Sequence, residues 1–547
     1  MKVAAAVAEI LKREGVEFLI GYPVNPIIEA AAEADIRTII VRQERTGLHM
    51  ADAVSRLTSG RRVGVFAMQH GPGTENAFGG VAQAFGESAP IVVLPMGYPR
   101  HLTNIPPNFN AFLNFQHVTK SAEQVTLASV VPDALRRAFT QARNGRPRPA
   151  LVEIPSDLFG EDVPEPLDYR PTPRLRFGPD PQAVDEVARV LVEAERPLVF
   201  AGQGVHYARA WPQLRALAEL LEAPVTTSIQ GKSAFPENHP LALGCAGRSM
   251  PRPVHDFLHR ADLIFGVGCS FTRTNFGATM PTGPTYVHAT LDAGDVNKDV
   301  PVQHALVGDA GLVLDALIAA VSDRLGGRPR GRAQALAAEI ASKREAWLAE
   351  WLPKLTSDER PMSPYRVIWD LLHTVDGRNT VITHDAGSPR DQLVPFWVSE
   401  EPLGYIGWGK TTQLGYGLGL AMGAKLACPG RLCVNVWGDA AIGFTGMDFE
   451  TAVRERIPIL SVLLNNFSMA MEIPRMPMAT AKYRSTDIGW NYAEVARALG
   501  GYGERITDPG DVVPAIRRGI EQTLAGTPAL LEFITAQETT YSMLTLT

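Results

Sequence analysis

The spacing of apolar residues along the chain alternates between short apolar runs and longer helical patterns. Runs of four or five apolar residues, bounded by charged or turn residues, are typical of strands that are buried on both faces of a parallel sheet. Ala-rich stretches lie between these runs, so we expect helices that cover both faces of such a sheet. The strands predicted in the first part of the chain are Glu17–Ile20, Thr38–Val41, Val63–Ala67, Ile91–Pro95 and Ala150–Ile154.

Two changes in composition divide this pattern into three blocks. Residues 163–182 contain six prolines and few apolar residues, and because proline lacks a backbone donor, this stretch predicts an extended linker. A second break, from about residue 322 to residue 364, contains the segments GGRPRGR and SDERPMSP. The sequence therefore predicts an α/β fold of three doubly wound parallel-sheet domains. Their predicted ranges are 1–163, 183–322 and 360–547.

Composition narrows the class of protein. The 547 residues fit three or four domains at roughly 150 residues each. Lys and Arg number 52 against 58 Asp and Glu, which gives a net charge of −6. A dedicated nucleic-acid binder would carry a basic patch or stripe, so we expect no nucleic-acid partner.

The cysteines and the apolar segments bear on the compartment. Cys245, Cys269, Cys428 and Cys433 form no CxxC pair, so neither a disulfide scaffold nor a thiolate metal cluster is predicted. This usage favours a reducing compartment, and we expect a cytoplasmic protein. No run approaches the roughly 18 consecutive apolar residues of a membrane span. The first apolar stretch is interrupted by charge from Glu9 onward, which predicts an amphipathic helix rather than a signal peptide.

The strongest local signal is the stretch 438–466, GDAAIGFTGMDFETAVRERIPILSVLLNN. A predicted strand, Leu432–Trp437, leads into Asp439, and a second, Ile459–Leu464, leads into Asn466. Between the two strands the pattern predicts a helix over roughly Gly446–Arg456. Because the carboxyl ends of neighbouring parallel strands meet at one edge of a sheet, these polar side chains are expected to lie together there. That edge is where open α/β sheets bind ligands.

The residue types at this edge suit a hard divalent cation. Asp439 offers a carboxylate, Asn466 an amide oxygen and Ser468 a backbone carbonyl, and Mg²⁺ prefers oxygen ligands of these kinds. The small residues Ala440 and Ala441 allow backbone N–H groups to approach phosphate oxygens. The stretch therefore predicts a diphosphate site bridged by a cation.

This stretch resembles the diphosphate motif of the thiamine diphosphate enzymes, in the group of acetolactate synthase, pyruvate oxidase and 2-keto acid decarboxylases. In that family a GDG triplet is followed, at a similar distance, by NN. Ala440 stands where the family usually has glycine, and it keeps a small side chain. The resemblance implies that Asp439, Asn466 and Ser468 hold Mg²⁺. It also implies that the cofactor is bound by Gly438, Ala440, Ala441 and Met469.

A second signal lies near the N-terminus. Glu44 follows the predicted strand Thr38–Val41 and begins a helix that carries the pattern A-D-x-x-x-R as Ala51, Asp52 and Arg56. A lone glutamate at a helix start is a favourable partner of the helix dipole. Beside the diphosphate motif, however, the resemblance implies that Glu44 is the catalytic glutamate that donates a hydrogen bond to the pyrimidine ring of the cofactor. That task needs a protonated carboxyl group, and therefore a pKa raised by burial.

Two weaker motifs complete the resemblance. The turn GPGTEN resembles the GPGxxN turn that lies against the pyrimidine, and it implies cofactor contacts from Gly71, Pro72 and Asn76. The segment QLGYG implies contacts from Gln413 and from Leu414, the bulky residue that forces the two cofactor rings into a V. A Gly-Pro-Gly turn is generic, and a leucine is more often simple core.

Two polar residues are candidates for direct contact with the substrate. By alignment with the family, Asn25 and His70 flank strand ends that face the reaction centre, and we include both among the catalytic residues. Each is equally well explained as a capping or turn residue.

The resemblance implies that the three predicted domains are, in order, pyrimidine-binding, central and diphosphate-binding. It also implies an acetolactate synthase-like lyase or carboligase that depends on thiamine diphosphate and Mg²⁺. Such an enzyme acts on a C–C bond of a 2-keto acid through an enamine intermediate. The resemblance further implies that the residues matching Glu44 and Asp439 come from different subunits, hence a homodimer or a dimer of dimers. We expect a small-molecule partner and no membrane. Residues 108–120 lack the Phe-Gln-Glu element of acetolactate synthases, so a 2-hydroxyacyl-CoA lyase or a hydroxyketone lyase with the same cofactor is the alternative.

Other hypotheses for the function are also considered. A less favoured one is an NAD-linked dehydrogenase that uses the AGQG of residues 201–204, with Glu219 or Glu222 as the acidic residue about 20 positions further on. FAD in the central domain is left open and is not supported by a full glycine fingerprint. A cofactor-free binding protein would have to lack Glu44 or Asp439, and both are present.

Overall fold

The computed structural model describes residues 1–543 as three sheets whose strand pairs are all parallel, with helices between the strands. The prediction of three doubly wound parallel-sheet α/β domains is confirmed. The sheets consist of residues between 18 and 155, between 197 and 307, and between 380 and 534. The domain boundaries themselves stay predictions.

The N-terminal sheet has the strand order β2-β1-β3-β4-β6-β5. Its central strands are buried throughout because helices cover both faces. The strands are β1 Phe18–Tyr22, β2 Arg37–Ile40, β3 Gly64–Met68, β4 Ile91–Gly97, β5 Ser121–Gln124 and β6 Ala150–Pro155. The helices are α1 Val3–Arg13, α2 Asn25–Glu33, α3 Glu44–Leu57, α4 Pro72–Gly86, α5 Ala111–Phe115 and α6 Val131–Arg143.

The central sheet has the order β12-β11-β10-β7-β8-β9. Its strands are β7 Pro197–Ala201, β8 Val225–Ser228, β9 Ala242–Ala246, β10 Leu263–Val267, β11 Thr285–Thr290 and β12 His304–Val307. Its helices are α7 Pro181–Glu193, α8 Gly204–Ala208, α9 Trp211–Leu221, α10 Arg252–Arg260 and α11 Ala310–Arg324, and the longer α12 Ala333–Leu355 follows them.

The C-terminal sheet has the order β13-β14-β15-β17-β16. Its strands are β13 Thr380–His384, β14 Leu432–Gly438, β15 Leu460–Asn465, β16 Tyr502–Ile506 and β17 Ala529–Ile534. Its helices are α13 Pro364–Thr374, α14 Ser388–Phe396, α15 Tyr416–Ala427, α16 Asp439–Thr445, α17 Phe449–Arg454, α18 Pro477–Tyr483, α19 Tyr492–Ala498 and α20 Val512–Leu524.

The chain forms two compact units. The first consists of residues 1–175, 418–430 and 445–458, so it holds the N-terminal sheet together with two segments from later in the chain. The second holds the central and C-terminal sheets. Among residues 1–543, no helix is both long and apolar enough to cross a membrane.

Candidate cofactor site

The Asp439 carboxylate lies at the carboxyl edge of the C-terminal sheet, where the sequence predicts a diphosphate site. It is the first residue of α16, directly after β14, and it is 3% exposed. Its Oδ1 atom accepts a hydrogen bond from the Ala440 amide at 2.9 Å. Its Oδ2 atom accepts from the amides of Asn466 at 3.1 Å and Ser468 at 3.2 Å. The strand ends that were predicted to meet are therefore joined by Asp439.

The helix after β14 begins earlier than the sequence predicts, at Asp439 itself, and this placement helps Asp439 to make these bonds. A single helix was predicted from about residue 446 to residue 456, but the chain is already helical from Asp439, in α16, a 3₁₀ turn and α17. Glycines at 443 and 446 weaken the helix and divide it. As a result Asp439 occupies a helix N-terminus, where backbone N–H groups are free to bind negative charge.

Burial raises the pKa of Asp439 to about 6, against the opposing effect of its backbone hydrogen bonds. At neutral pH the carboxylate is therefore mainly ionised, and the surrounding amides hold its charge. A buried, ionised carboxylate with no cation beside it is costly, so this site favours binding of a positive ion.

The loop after β15 is shaped by a buried asparagine. Phe467 has a left-handed backbone, with φ of 57°, and its amide donates to Asn465 Oδ1 at 3.0 Å. Asn465 Nδ2 in turn donates to Glu532 Oε1 at 2.8 Å. The loop therefore presents Asn466 and Ser468 in a defined arrangement, in which Asn466 Oδ1 accepts from the Ser468 amide at 2.9 Å.

These residues fit a magnesium diphosphate site by their chemistry. Asp439, Asn466 and the Ser468 carbonyl are all oxygen donors, which suit Mg²⁺. Within residues 1–543 no group of three His, Cys, Asp or Glu side chains could hold a metal ion, so any metal here needs amide and carbonyl ligands as well. Ser468 Oγ is buried with no hydrogen-bond partner among the described residues. Ala441 is 1% exposed, and Met469 is half-buried beside the loop.

Asp385 was missed by the sequence analysis. It follows β13 and is fully buried, and its two carboxylate oxygens accept from the amides of Gly415 and Gly417, each at 2.8 Å. These amides come directly after Gln413 and Leu414, which are half-buried. Asp385 therefore holds the segment that carries the predicted wedge. A single aspartate after a strand gives no distinctive sequence signal.

The Glu44 carboxyl lies at the equivalent edge of the N-terminal sheet. Glu44 is the first residue of α3 and is 3% exposed. Burial raises its pKa, and a hydrogen bond with the Asn76 side chain acts in the opposite direction. A Cβ atom at Gly73 would lie 3.3 Å from Glu44 Oε1, so the carboxyl rests against the GPG turn. The structure thus brings Glu44 together with this turn and with Asn76, as the resemblance implies.

A tyrosine that the sequence analysis did not single out supports the same turn. Tyr98 follows β4, and its ring centroid lies 4.5 Å from that of His70. Gly71 has a φ of 61°, and a Cβ atom there would lie 2.7 Å from the Tyr98 hydroxyl, so this position requires glycine. Among the described residues His70 Nδ1 is buried without a hydrogen-bond partner. That nitrogen is available to a bound molecule.

The remaining predicted residues lie at the same edge of the N-terminal sheet. Asn25 is the exposed first residue of α2, after β1, and Pro72 is the exposed first residue of α4. Strands β1 and β3 are neighbours, with Tyr22 opposite Met68, so the segments of Asn25 and His70 leave adjacent strands. In the helix after Glu44, the predicted markers Asp52 and Arg56 form a buried pair at 3.7 Å.

The glycines of the central sheet are explained by packing. A Cβ atom at Gly202 would lie 2.4 Å from the carbonyl oxygen of Gly268, and one at Gly204 would lie 2.7 Å from Gly268 Cα. Close approach of two backbone segments, at the ends of β7 and β10, therefore requires these glycines. Glu219 pairs with Arg215 at 2.8 Å on the surface of α9. The AGQG pattern thus carries no argument for NAD or for FAD.

Comparison with known proteins agrees with this geometry. The thiamine pyrophosphate (thiamine diphosphate) enzyme family matches the chain in three parts: its N-terminal TPP binding domain over residues 1–127, its central domain over 184–317 and its C-terminal TPP binding domain over 385–533. Together these matches cover about three quarters of the chain.

Three relatives illustrate the similarity. The chain is 28% identical to a probable acetolactate synthase large subunit of Methanocaldococcus jannaschii, over 98% of this chain and 92% of that protein. It is 28% identical to the acetolactate synthase isozyme 3 large subunit of Escherichia coli, over 95% and 92%. It is 29% identical to the acetolactate synthase large subunit of Parasynechococcus marenigrum, over 92% and 83%. With all three domains present in order, the chain belongs to the thiamine pyrophosphate enzymes, in the group of the acetolactate synthases.

Proposed function

We propose that this protein is a Mg²⁺- and thiamine diphosphate-dependent carboligase or lyase that acts on a 2-keto acid, a proposal supported by its similarity to proteins named acetolactate synthases. The observation that carries the proposal is the buried Glu44 carboxyl against the GPG turn, in a chain that also matches the C-terminal TPP binding domain. A structural glutamate would be expected to be exposed or paired with a cation, because burial of an unpaired carboxylate is costly.

Glu44 acts in this proposal by keeping its proton. Thiamine diphosphate, when bound, supplies a carbanion and an electron sink for the cleavage of a bond next to a carbonyl group. The Glu44 carboxyl would donate a hydrogen bond from its protonated Oε atom to a ring nitrogen of the bound cofactor, and burial shifts its pKa upward, toward the protonated form that this bond requires. Asn76 holds the other side of the carboxyl.

In this proposal, residues at the C-terminal sheet bind the diphosphate end of the cofactor. Asp439, Asn466 and the Ser468 carbonyl would hold Mg²⁺, and the small side chains of Ala440 and Ala441 would leave room for the diphosphate at the start of α16. The Gly415 amide donates to Asp385, and this bond would hold the adjacent Leu414 in place to support the bound cofactor.

Two further residues face the substrate in the proposal. His70 has a free ring nitrogen for proton transfer, and Asn25 offers an amide to the substrate oxygen. The active unit is a homodimer or a dimer of dimers, in which Glu44 of one copy and Asp439 of another serve the same cofactor.

One observation favours a second candidate function. The segment 108–120, which forms α5 and a 3₁₀ turn, lacks the Phe-Gln-Glu element that acetolactate synthases carry. A 2-hydroxyacyl-CoA lyase or a hydroxyketone lyase with the same cofactor is consistent with this departure.

Product analysis separates the two candidates. Purified protein, reloaded with thiamine diphosphate and Mg²⁺, is incubated with a panel of 2-keto acids that begins with pyruvate, and in parallel with a 2-hydroxyacyl-CoA. We expect CO₂ release and a ligated product from at least one keto acid, and none with Glu44→Gln. Cleavage of the thioester alone would establish the second candidate, and turnover that does not require thiamine diphosphate would reject both.

The sharing of a site between copies has its own test. Glu44→Gln and Asp439→Ala, each inactive alone, are mixed after dissociation and reassociation. If the two residues serve one cofactor from different copies, mixed dimers contain one intact site of two, and activity returns to about a quarter of wild type. If both come from one chain, mixing restores nothing.

A further inference from the structure

Asp448 is hydrogen-bonded to the backbone just before Glu44. Its Oδ1 atom accepts a hydrogen bond at 2.7 Å from the amide of Arg42, two residues before Glu44. The Thr46 side chain, two residues after Glu44, lowers the pKa of the same carboxyl group, but its hydroxyl makes no hydrogen bond among the described residues. Asp448 is 1% exposed, so the bond to Arg42 is sheltered from water. One buried carboxyl group therefore holds the backbone two residues before the proposed catalytic glutamate, within the first unit.

The position of Asp448 is fixed by other contacts of its own segment. Thr451 Oγ1 donates to Asp448 Oδ1 at 2.8 Å. From the same segment, Arg454 Nη2 donates to the carbonyl oxygen of Ile40, the last residue of β2, at 2.6 Å. Because β2 is an edge strand of the sheet, its carbonyl groups are open to such partners. The segment is thus anchored along β2, and Asp448 is not placed by Arg42 alone.

We propose that Asp448 is a positioning residue for Glu44, which holds the backbone at Arg42 so that the Glu44 carboxyl group meets the cofactor in one orientation. This inference rests on the proposed function, since it assumes the role of Glu44. Asp448 belongs to the stretch 438–466, but neither the metal nor the diphosphate role of that stretch uses it. Catalytic groups must be held to within about 0.5 Å, which a helix terminus preceded by a free loop does not provide by itself.

The charge of Asp448 supports the same role. Burial raises the pKa of Glu44, its own backbone amide and Asn76 lower it, and the nearby Asp448 charge raises it again. Asp448 therefore helps Glu44 to keep a proton as well as a position. A substitution that removes the charge and keeps the oxygen separates these two effects.

Three variants test the proposal. Asp448→Ala removes the carboxyl group, and Asp448→Asn keeps an oxygen that can accept from the Arg42 amide. Glu450→Gln is the matched control, because Glu450 lies in the same segment and is 3.6 Å from the Arg42 guanidinium. Glutamine keeps an oxygen that can accept from Arg454 Nε, as Glu450 Oε1 does at 2.9 Å. For each we measure kcat, the thiamine diphosphate Kd in Mg²⁺, and amide hydrogen exchange of residues 42–46 in the cofactor-free protein.

We expect Asp448→Ala to lower kcat by about 100-fold, as a misplacement of about 1 Å can do. Its Kd for thiamine diphosphate should stay within about threefold, and residues 42–46 should exchange faster. Asp448→Asn should keep most of kcat, with the alkaline limb of the pH profile moved to lower pH because the Glu44 pKa falls. Glu450→Gln should match wild type in every measurement.

The proposal is overturned if Asp448→Ala matches Glu450→Gln in exchange and in kcat. It is also overturned if Asp448→Asn is as impaired as Asp448→Ala, since the preserved oxygen would then have no effect. If Asp448→Ala does not fold, Thr451→Val provides the test, because it removes the hydroxyl that fixes Asp448. Faster exchange at residues 42–46 is expected, and unchanged exchange would count against the proposal. If wild type turns over no keto acid, the proposed function fails, while exchange and cofactor affinity still judge the positioning role.

Discussion

Glu44 and Asp439 occupy equivalent places in two different sheets. Each follows a strand at the carboxyl edge of a parallel sheet, each is the first residue of a helix, and each is 3% exposed. Their hydrogen bonds differ. Asp439 accepts from three backbone amides, two of which come from the loop after the next strand. Glu44 meets the Asn76 side chain and a second acidic residue, Asp448.

This difference shows how one structural position serves opposite chemical tasks. Burial raises the pKa of both carboxyl groups. The amides around Asp439 stabilise its charge and leave it ready for a cation, whereas the acidic neighbour of Glu44 favours its protonated form. The task is therefore decided by residues outside the helix that carries the carboxyl group. Four substitutions test this comparison.

The largest effect is expected from Glu44→Gln. Glutamine has the same shape but no acidic proton, so we expect kcat to fall by about 10³-fold, within the range for loss of a general acid or base. The thiamine diphosphate Kd should stay within about threefold, because the residues proposed to bind the diphosphate lie at the C-terminal sheet. Steady-state kinetics and a binding titration check both numbers.

The control for this variant is Glu75→Gln, at an exposed position in the first turn of α4. It should leave kcat unchanged. Because the Glu44 pKa is raised, the wild-type rate should fall only as the pH rises through that pKa, and Glu44→Gln should lack this limb. If Glu44→Gln lost as much cofactor affinity as Asp439→Ala, the two carboxyl groups would not have separate tasks.

Asp439→Ala should affect binding first. Loss of a direct ligand should weaken Mg²⁺-dependent thiamine diphosphate binding by about 100-fold or more, the upper end of what outer ligand partners cost. Calorimetric titration at several Mg²⁺ concentrations measures this. Ser468→Ala is the matched control, since it removes a hydroxyl and keeps the backbone carbonyl that is the proposed ligand. Equal loss in both variants would assign the ligand to the Ser468 hydroxyl instead.

The sequence predicts the two carboxyl groups better than their surroundings. Asp439 and Glu44 are recognisable because each ends an apolar run at a family motif. Asp385, Tyr98 and Asp448 are not, because each acts through contacts with residues distant in the chain. Asp448, for example, binds the amide of Arg42, and nothing in the local pattern around either residue indicates this pairing.

The fold was predictable because apolar runs and helical patterns repeat along the whole chain. The strand predicted at Ala150–Ile154 is β6, Ala150–Pro155, and the other strands that the sequence predicts also differ from the structure by only one or two residues. The helix after Asp439 was placed wrongly because two glycines interrupt it, which the apolar pattern does not reveal. The AGQG segment looked like a nucleotide pattern, but its glycines are required by contacts with Gly268.

Leu414→Ala tests the cofactor-supporting role of Leu414, which was predicted from the family resemblance alone. If Leu414 supports the cofactor, kcat should fall by about tenfold through lost orientation. The free energy of unfolding should change by less than about 1.5 kcal/mol, since the side chain is only half-buried. A buried core leucine would instead cost about 2–5 kcal/mol with little effect on kcat. Chemical denaturation beside kinetics separates the two.

The smallest effect is expected from Ala440→Gly, which restores the residue that the family motif usually has. Glycine in the first turn of α16 should lower the free energy of unfolding by about 0.5–1 kcal/mol, because it has more backbone freedom to lose. The thiamine diphosphate Kd should stay within about threefold, because a methyl group leaves the backbone amides accessible. Thermal denaturation and a binding titration measure the two quantities. Tighter binding by tenfold or more would show that the Ala440 methyl group obstructs the diphosphate, and that cofactor binding beside Asp439 is weakened in this chain.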